Sequence, residues 1–430
     1  ADRIPEISNT IVEIDNAMKW GFNFEMGPFE AWDAIGVKES VAKMEADGLT
    51  VPAKVKDMLA AGVTSFYKTE NGKVSFYDFD TKGYKEVVVS ESNISLAALK
   101  GSGKQVKTCD SASLVDLGDG VFCCEFHTKM NALNAEIIQF MDEAMDYVDE
   151  NGVGLVIGNQ AGGMPGAFSA GADLVQVGTA AKTNRLDEVD QMIRALHAVI
   201  QKETYSPFPV VAAPYGLALG GGCEVCLAAD RIVAHAELYM GLVEIGVGLL
   251  PGGGGCKNLW KKAVNSIPSH VKDVDLSKFF IPTFMNIATA KVSMSAAQAR
   301  AAGFLGPQDR IVFNRDLLIG EAKKEVLRMA DAGYAPPAKK KLKVLGAAAE
   351  GMVNGEIFNM QSAGYVSEYD AFLARRIATV VGGGDVRTNS EIDEEVILNL
   401  EREAFIDFLK QEKTLARIEH MLKTGKPLRN

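Results

Sequence analysis

From residue 107 onward the chain alternates short apolar runs with amphipathic ones, and this rhythm restricts the fold more than any other feature of the sequence. Ser113-Leu-Val-Asp-Leu and Gly120-Val-Phe-Cys-Cys-Glu-Phe126 read as strands, and Leu133 to Val148 reads as a helix. Val153-Gly-Leu-Val-Ile-Gly158 and Pro209-Val-Val-Ala-Ala213 are apolar runs of the kind that form strands covered on both faces. Leu186 to Ile200 is a further helix. Strands and helices in alternation predict a layered α/β domain. Beyond Pro282 the pattern is mostly helical.

The N-terminal part follows a different pattern. Residues 1–63 read as helical. Ile11 to Trp20 spaces its apolar residues three and four apart, Met26-Gly27-Pro28 breaks the run, and a second amphipathic stretch passes through Val41, Met44 and Val51 to Met58. Trp20, Phe22, Phe24, Phe29 and Trp32 make this region aromatic-rich, and core packing is the reading for them. Ser65-Phe-Tyr-Lys and Val74-Ser-Phe-Tyr-Asp-Phe flank Glu70-Asn-Gly72, a hairpin signature with a tight turn. Residues 91–106 are small and polar and read as a linker. The expected organisation is therefore a small helical domain over 1–63, hairpin and linker over 64–106, an α/β core over 107–320 and a helical region over 321–430.

Composition narrows the function. A chain of 430 residues exceeds one ordinary domain. Its formal charge of −11 argues against a nucleic-acid surface, which would be basic. No run of about 18 apolar residues occurs, so the reading is a soluble, cytoplasmic chain without membrane insertion. Cys223 and Cys226 form a CxxC without a second pair, and small buried thiols are expected rather than zinc or redox chemistry. The five histidines lack ligand spacing, and no metal is expected. The run Lys339-Lys-Lys-Leu-Lys343 reads as a solvated helix start. No dinucleotide motif or P-loop is present.

Two glutamates stand out. Glu224 ends Leu217-Ala-Leu-Gly-Gly-Gly-Cys-Glu224, and Glu244 precedes Gly246-Val-Gly-Leu-Leu-Pro-Gly-Gly-Gly-Gly255. Paired carboxyls suit acid–base work, since one can hold a proton while the other accepts one. Gly220-Gly221-Gly222 follows a strand and opens a helix, whose first N–H groups can stabilise a developing oxyanion. A second glycine-bounded turn, Ala170-Gly-Ala-Asp173, offers the Ala172 amide as another donor. Ser169 beside it reads as a structural hydroxyl rather than a nucleophile.

These segments, with His127-Thr-Lys-Met-Asn-Ala-Leu133, Ala167-Phe-Ser-Ala-Gly-Ala-Asp-Leu174 and the tail from Leu400 to Arg429, resemble the crotonase (enoyl-CoA hydratase/isomerase) superfamily. The resemblance covers residues 110 to 320 and implies a ββα spiral domain with C-terminal helices. It implies Glu224 and Glu244 as the acid–base pair and the amides of Ala172 and Gly221 as the oxyanion hole. Ala170, Gly171, Asp173, Gly220 and Gly222 would then contact substrate. The implied activity is hydration of trans-2-enoyl-CoA in fatty-acid β-oxidation. The alternatives are Δ3-Δ2-enoyl-CoA isomerisation, or a non-catalytic assembly subunit. Leu242-Val243 and Cys256 depart from the Gln-Pro and Thr common in the family, and 334–395 is longer than in compact members.

Ile14-Asp-Asn-Ala-Met-Lys-Trp-Gly21 and Met26-Gly-Pro-Phe-Glu30 are similar to the C-terminal helical domain of 3-hydroxyacyl-CoA dehydrogenases. The order of the two resembles bacterial β-oxidation fusion proteins without their nucleotide-binding domain. The resemblance implies an acyl-CoA thioester as substrate, no cofactor for hydration and NAD only in a dehydrogenase domain that this sequence lacks. It further implies no dehydrogenase activity from this chain alone, and a trimer-based homo-oligomer.

Overall fold

The computed structural model describes residues 1–430 apart from 23, 71–72, 89, 161–165, 269 and 272–273. It divides into two compact units, Ala1–Ser90 and Glu91–Asn430.

The first unit holds four helices, α1 (Ile11–Phe22), α2 (Pro28–Ile35), α3 (Val37–Ala46) and α4 (Ala53–Ala60), and an antiparallel sheet of β1 (Tyr67–Glu70), β2 (Lys73–Asp78) and β3 (Gly83–Glu86). Phe66 is fully buried at its centre, edge-on to Phe29 at 5.0 Å and tilted against Trp32 at 5.3 Å. The Asp33 carboxylate on α2 accepts from the amides of Phe66 and Tyr67, both at 2.7 Å, and from Ser65 Oγ at 3.0 Å. Asp15 on α1 is also buried, and accepts from Phe29 N and Tyr67 Oη. The hairpin thus shares one core with the helices instead of standing apart from a 1–63 domain. The expected Asn-Gly turn at 71–72 lies outside the described residues. Core packing holds for Phe29 and Trp32 only, because Trp20, Phe22 and Phe24 are more than half exposed.

The second unit begins inside the stretch expected as a linker. There α5 (Leu96–Gly101), capped by Ser95, buries Leu96, and β4 (Gln105–Thr108) starts the main sheet. Then come β5 (Ala112–Asp116), β6 (Val121–Phe126), α6 (Ala135–Asn151), β7 (Gly154–Gly158), β8 (Ala167–Ser169), α7 (Leu174–Lys182), α8 (Leu186–Thr204), β9 (Val210–Ala213) and β10 (Gly216–Leu219). After these come α9 (Gly221–Ala228), β11 (Arg231–His235), β12 (Leu238–Gly241), α10 (Gly255–Asn265), α11 (Ser277–Ala288), α12 (Ala296–Ala301), β13 (Arg310–Val312) and α13 (Leu318–Asp331). The helices α14 (Ala348–Ser362), α15 (Glu368–Val381), α16 (Glu394–Leu409) and α17 (Glu412–Thr424) close the chain.

Seven strands pair in the order β13-β11-β9-β7-β6-β5-β4, parallel from β6 through β13. Three more form a parallel sheet, β12-β10-β8. The chain alternates between them: β7, β9 and β11 enter the large sheet, and β8, β10 and β12 follow directly in the small one. Helices return the chain after each pair, which is the expected ββα spiral. The strands β7 and β9 are buried along their whole length, in keeping with their unbroken apolar sequence. Lys339–Lys341 face solvent, but they enter a two-residue strand at Leu342 and do not start a helix. No described helix is long and apolar enough to cross a membrane.

Candidate active site

The small parallel sheet assembles the site. Ala218 of β10 pairs with Ser169 of β8, and Leu219 with Gly241 of β12. Three strands ending side by side release three loops at one edge: Ala170-Gly171-Ala172, Gly220-Gly221, and Leu242 to Glu244. Ligands bind at the carboxyl ends of parallel strands for this reason.

In the first loop nearly every amide is used. Ala170 N donates to Met130 O, Gly171 N to Ser169 Oγ, and Asp173 N to Leu133 O. Leu133 N donates back to Gly171 O at 2.8 Å, so Leu133 bridges the loop from both sides. Ala172 N is left over. Gly220 N likewise donates to Gly241 O, and Gly221 N, at the start of α9, is left over. Among the described residues neither of these two amides donates a hydrogen bond. They lie close together, since a side-chain carbon placed on Gly221 would come 3.6 Å from Ala172 N. Gly171 makes this possible. Its φ of +102° is a conformation L side chains rarely adopt, and a carbon there would press on Leu219 O at 3.0 Å. Two free, convergent amides have the geometry that stabilising an oxyanion requires.

Both glutamates face the same cavity of about 260 Å3, lined also by Ala170, Gly171, Ala172, Gly220 and Gly221. Glu224 lies in the first turn of α9 and is 3% exposed. Its Oε1 accepts from Gly253 N and Gly255 N, each at 2.7 Å. Glu244 opens the short 3-10 turn Glu244–Val247, and its Oε1 would lie 3.0 Å from a side-chain carbon on Gly220. Its Oε2 is buried without a hydrogen-bond partner. The helix α17 holds this turn, with Thr414 Oγ1 donating to Gly248 O at 2.7 Å. The rest of the cavity is apolar, with Leu174, Met192, Leu196, Phe405 and Met421 among its walls.

Burial pushes the Glu224 carboxyl up to about 7, against the pull of the Gly255 and Gly253 amides. Burial, and then the charge of Glu224, push Glu244 well above the usual carboxylate range. Backbone amides favour the ionised form of both acids, but only at Glu244 do neighbouring acids, Glu224 and then Glu401, add to burial in disfavouring it. Such a pair can hold one proton and one charge side by side.

Two expected contacts take other roles. Asp173 does not line the cavity; its carboxylate caps α7 by accepting from Val175 N at 2.9 Å. Gly222 does not line it either, because it packs on Ser169, where a side chain would come within 2.6 Å. The cysteines, Cys223 and Cys226 included, are free thiols, and all but Cys109 are buried. No cluster of potential metal ligands occurs among the described residues.

One acid at the site goes beyond the sequence reading. Glu401 on α16 is fully buried and accepts from Gly254 N at 2.9 Å and Lys257 N at 2.7 Å. The sequence does carry a signal for it. Ile397, Leu398, Ala404, Phe405 and Phe408 set the apolar face of α16, and position 401 falls within that face.

The pattern of known families agrees with this geometry. Residues 118–271 match the family model described as Enoyl-CoA hydratase/isomerase. The chain is 43% identical over all 430 residues to a Bacillus subtilis (strain 168) protein named "Probable 3-hydroxyacyl-CoA dehydrogenase", and spans 53% of that protein's length. It is 37% identical over 131 residues, 30% of this chain and 37% of the other, to human mitochondrial methylglutaconyl-CoA hydratase. It is 32% identical over 199 residues, 45% of this chain and 66% of the other, to a Rhizobium meliloti (strain 1021) protein named "Probable enoyl-CoA hydratase". Through residues 118–271 and the ββα spiral that contains them, the chain belongs to the crotonase superfamily, the enoyl-CoA hydratase/isomerase family.

Proposed function

We propose that this chain adds water reversibly to trans-2-enoyl-CoA thioesters, giving 3-hydroxyacyl-CoA. The observation that carries the reading is the convergence of two buried carboxyls and two unoccupied amides on one mostly apolar cavity. The thioester carbonyl accepts from Ala172 N and Gly221 N, which stabilise the enolate charge that gathers on its oxygen. Glu224, held toward its ionised form by two amides, takes a proton from water as the oxygen attacks C3. Glu244, held toward its protonated form, delivers a proton to C2. The acyl chain runs along the apolar wall. No cofactor enters these steps.

The test is loss of the conjugated enoyl thioester absorbance on mixing with the protein. Glu224→Gln and Glu244→Gln are each expected to lower turnover roughly a hundred- to ten-thousandfold. Normal turnover in both variants ends the assignment. The unpartnered Oε2 of Glu244 favours a second reading, Δ3-Δ2-enoyl-CoA isomerisation by Glu244 alone. A 3-enoyl thioester assayed beside a 2-enoyl thioester separates the two.

The chain's likeness to a protein named as a 3-hydroxyacyl-CoA dehydrogenase, of which it spans about half, supports a wider proposal. Hydration here would feed a dehydrogenase step in the same β-oxidation sequence. The cytoplasm and a trimer-based assembly belong to that same proposal.

A further inference from the structure

We infer that Glu401 is a positioning residue for the Glu224–Glu244 pair: from the C-terminal helix it braces the glycine turn that holds Glu224, and so determines which Glu224 oxygen faces the reactants. The inference rests on the hydratase reading for its activity readout and on backbone geometry for the rest.

Four amides at the start of α10 are divided between two carboxyl groups. Gly253 N and Gly255 N go to Glu224 Oε1. Gly254 N goes to Glu401 Oε2, and Lys257 N to Glu401 Oε1. Consecutive amides therefore point alternately to the two acids, and the turn is gripped from both sides. A helix N-terminus is where carboxylates are best placed to receive such bonds. The grip on Glu224 is tight: a side-chain carbon on Gly253 would come 2.8 Å from its Oε2, and one on Gly255 would come 2.8 Å from its Oε1. A shift of the turn therefore moves Glu224.

Glu401 acts from behind. Gly252, Gly253 and Glu224 line the cavity, and Glu401 does not. Phe405, one turn further along α16, does line it, so this helix is in register with the site on one face. The Lys257 ammonium does not bond to Glu401; it reaches Asn258 Oδ1 at 2.6 Å, Gln201 Oε1 at 3.2 Å and Glu394 at 3.3 Å. His197 Nε2 stands 3.9 Å from Glu401, beyond hydrogen-bond reach. The bonds that Glu401 makes are to the turn.

The experiment is Glu401→Gln in the full chain. Gln matches the shape but offers one acceptor oxygen where two are used. The expected result is a kcat about a hundredfold lower at unchanged KM, the effect of a misplaced catalytic group. Hydrogen–deuterium exchange of the Gly254 and Lys257 amides is expected to quicken. Glu401→Ala, with both acceptors gone, should quicken it further. Unchanged exchange at those amides in both variants overturns the inference, as does an unchanged kcat in Glu401→Gln when the parent hydrates. If the parent fails to hydrate any 2-enoyl thioester, the functional reading falls and the exchange result alone judges the brace.

Discussion

Replacing Glu224 with Gln should move stability and activity in opposite directions, and the stability effect should depend on pH with a defined sign. Burial raises the folded-state Glu224 carboxyl from its ordinary 4.5 to about 7. The folded chain therefore binds this proton more tightly than the unfolded chain does. The stabilising contribution is complete below the unfolded value of 4.5 and is lost as pH rises through about 7. At about 1.36 kcal/mol per pH unit, the loss is roughly 3 kcal/mol. Gln keeps an oxygen for the Gly253 and Gly255 amides and cannot ionise. Between about pH 5 and about pH 8 the parent should thus lose roughly 3 kcal/mol more than Glu224→Gln, while the variant loses most of its turnover. Urea unfolding at the two pH values measures the difference. Trp260 is a suitable probe, because it is fully buried on α10, whose N-terminus holds Glu224, and Trp20 and Trp32 can be replaced by Phe. Parallel stability curves for the two proteins would refute the reasoning, since they would mean that Glu224 is not a buried carboxyl with a raised value.

Three further outcomes follow from the same geometry. Gly171→Ala forces a side chain onto a left-handed residue and against Leu219 O, so turnover should fall roughly a hundred- to a thousandfold as the oxyanion amides part, with about 1–3 kcal/mol lost in unfolding measurements. Phe405→Ala enlarges the apolar part of the cavity beside Gly252, and kcat/KM measured across an acyl series should shift toward longer chains, with about 3 kcal/mol lost in stability. Asp33→Ala strips the acceptor from Ser65, Phe66 and Tyr67, and hydrogen exchange across 67–86 should quicken while the hydration rate per folded molecule stays constant.

The sequence revealed the second unit well because local pattern and fold agree there. The runs at 153–158 and 209–213 are apolar throughout, and strands covered on both faces need that composition. The Gly220-Gly221 turn and Glu224 were visible because a strand, a glycine cluster and a helix succeed one another along the chain. The division of the first unit was less visible, because what ties the hairpin to the helices is Asp33, a single carboxylate bonding to amides more than thirty residues away. The stretch 91–106 has linker composition, yet Leu96 is fully buried and β4 pairs with β5. A few apolar residues suffice when a sheet edge supplies the partner. Asp173 and Gly222 adjoin residues that line the cavity, which is why sequence alone assigns them to it. Asp173 instead caps α7, and Gly222, the second residue of α9, packs on Ser169. Glu401 lies 177 positions after Glu224, and only folding brings their carboxyls to the same turn.

The most direct measurement is a structure of the protein with a non-reactive acyl-CoA thioester bound. The account predicts the thioester oxygen within hydrogen-bond distance of both Ala172 N and Gly221 N, with the Glu224 and Glu244 carboxyls both facing the C2–C3 bond. A thioester bound elsewhere, or one whose carbonyl meets neither amide, would contradict it.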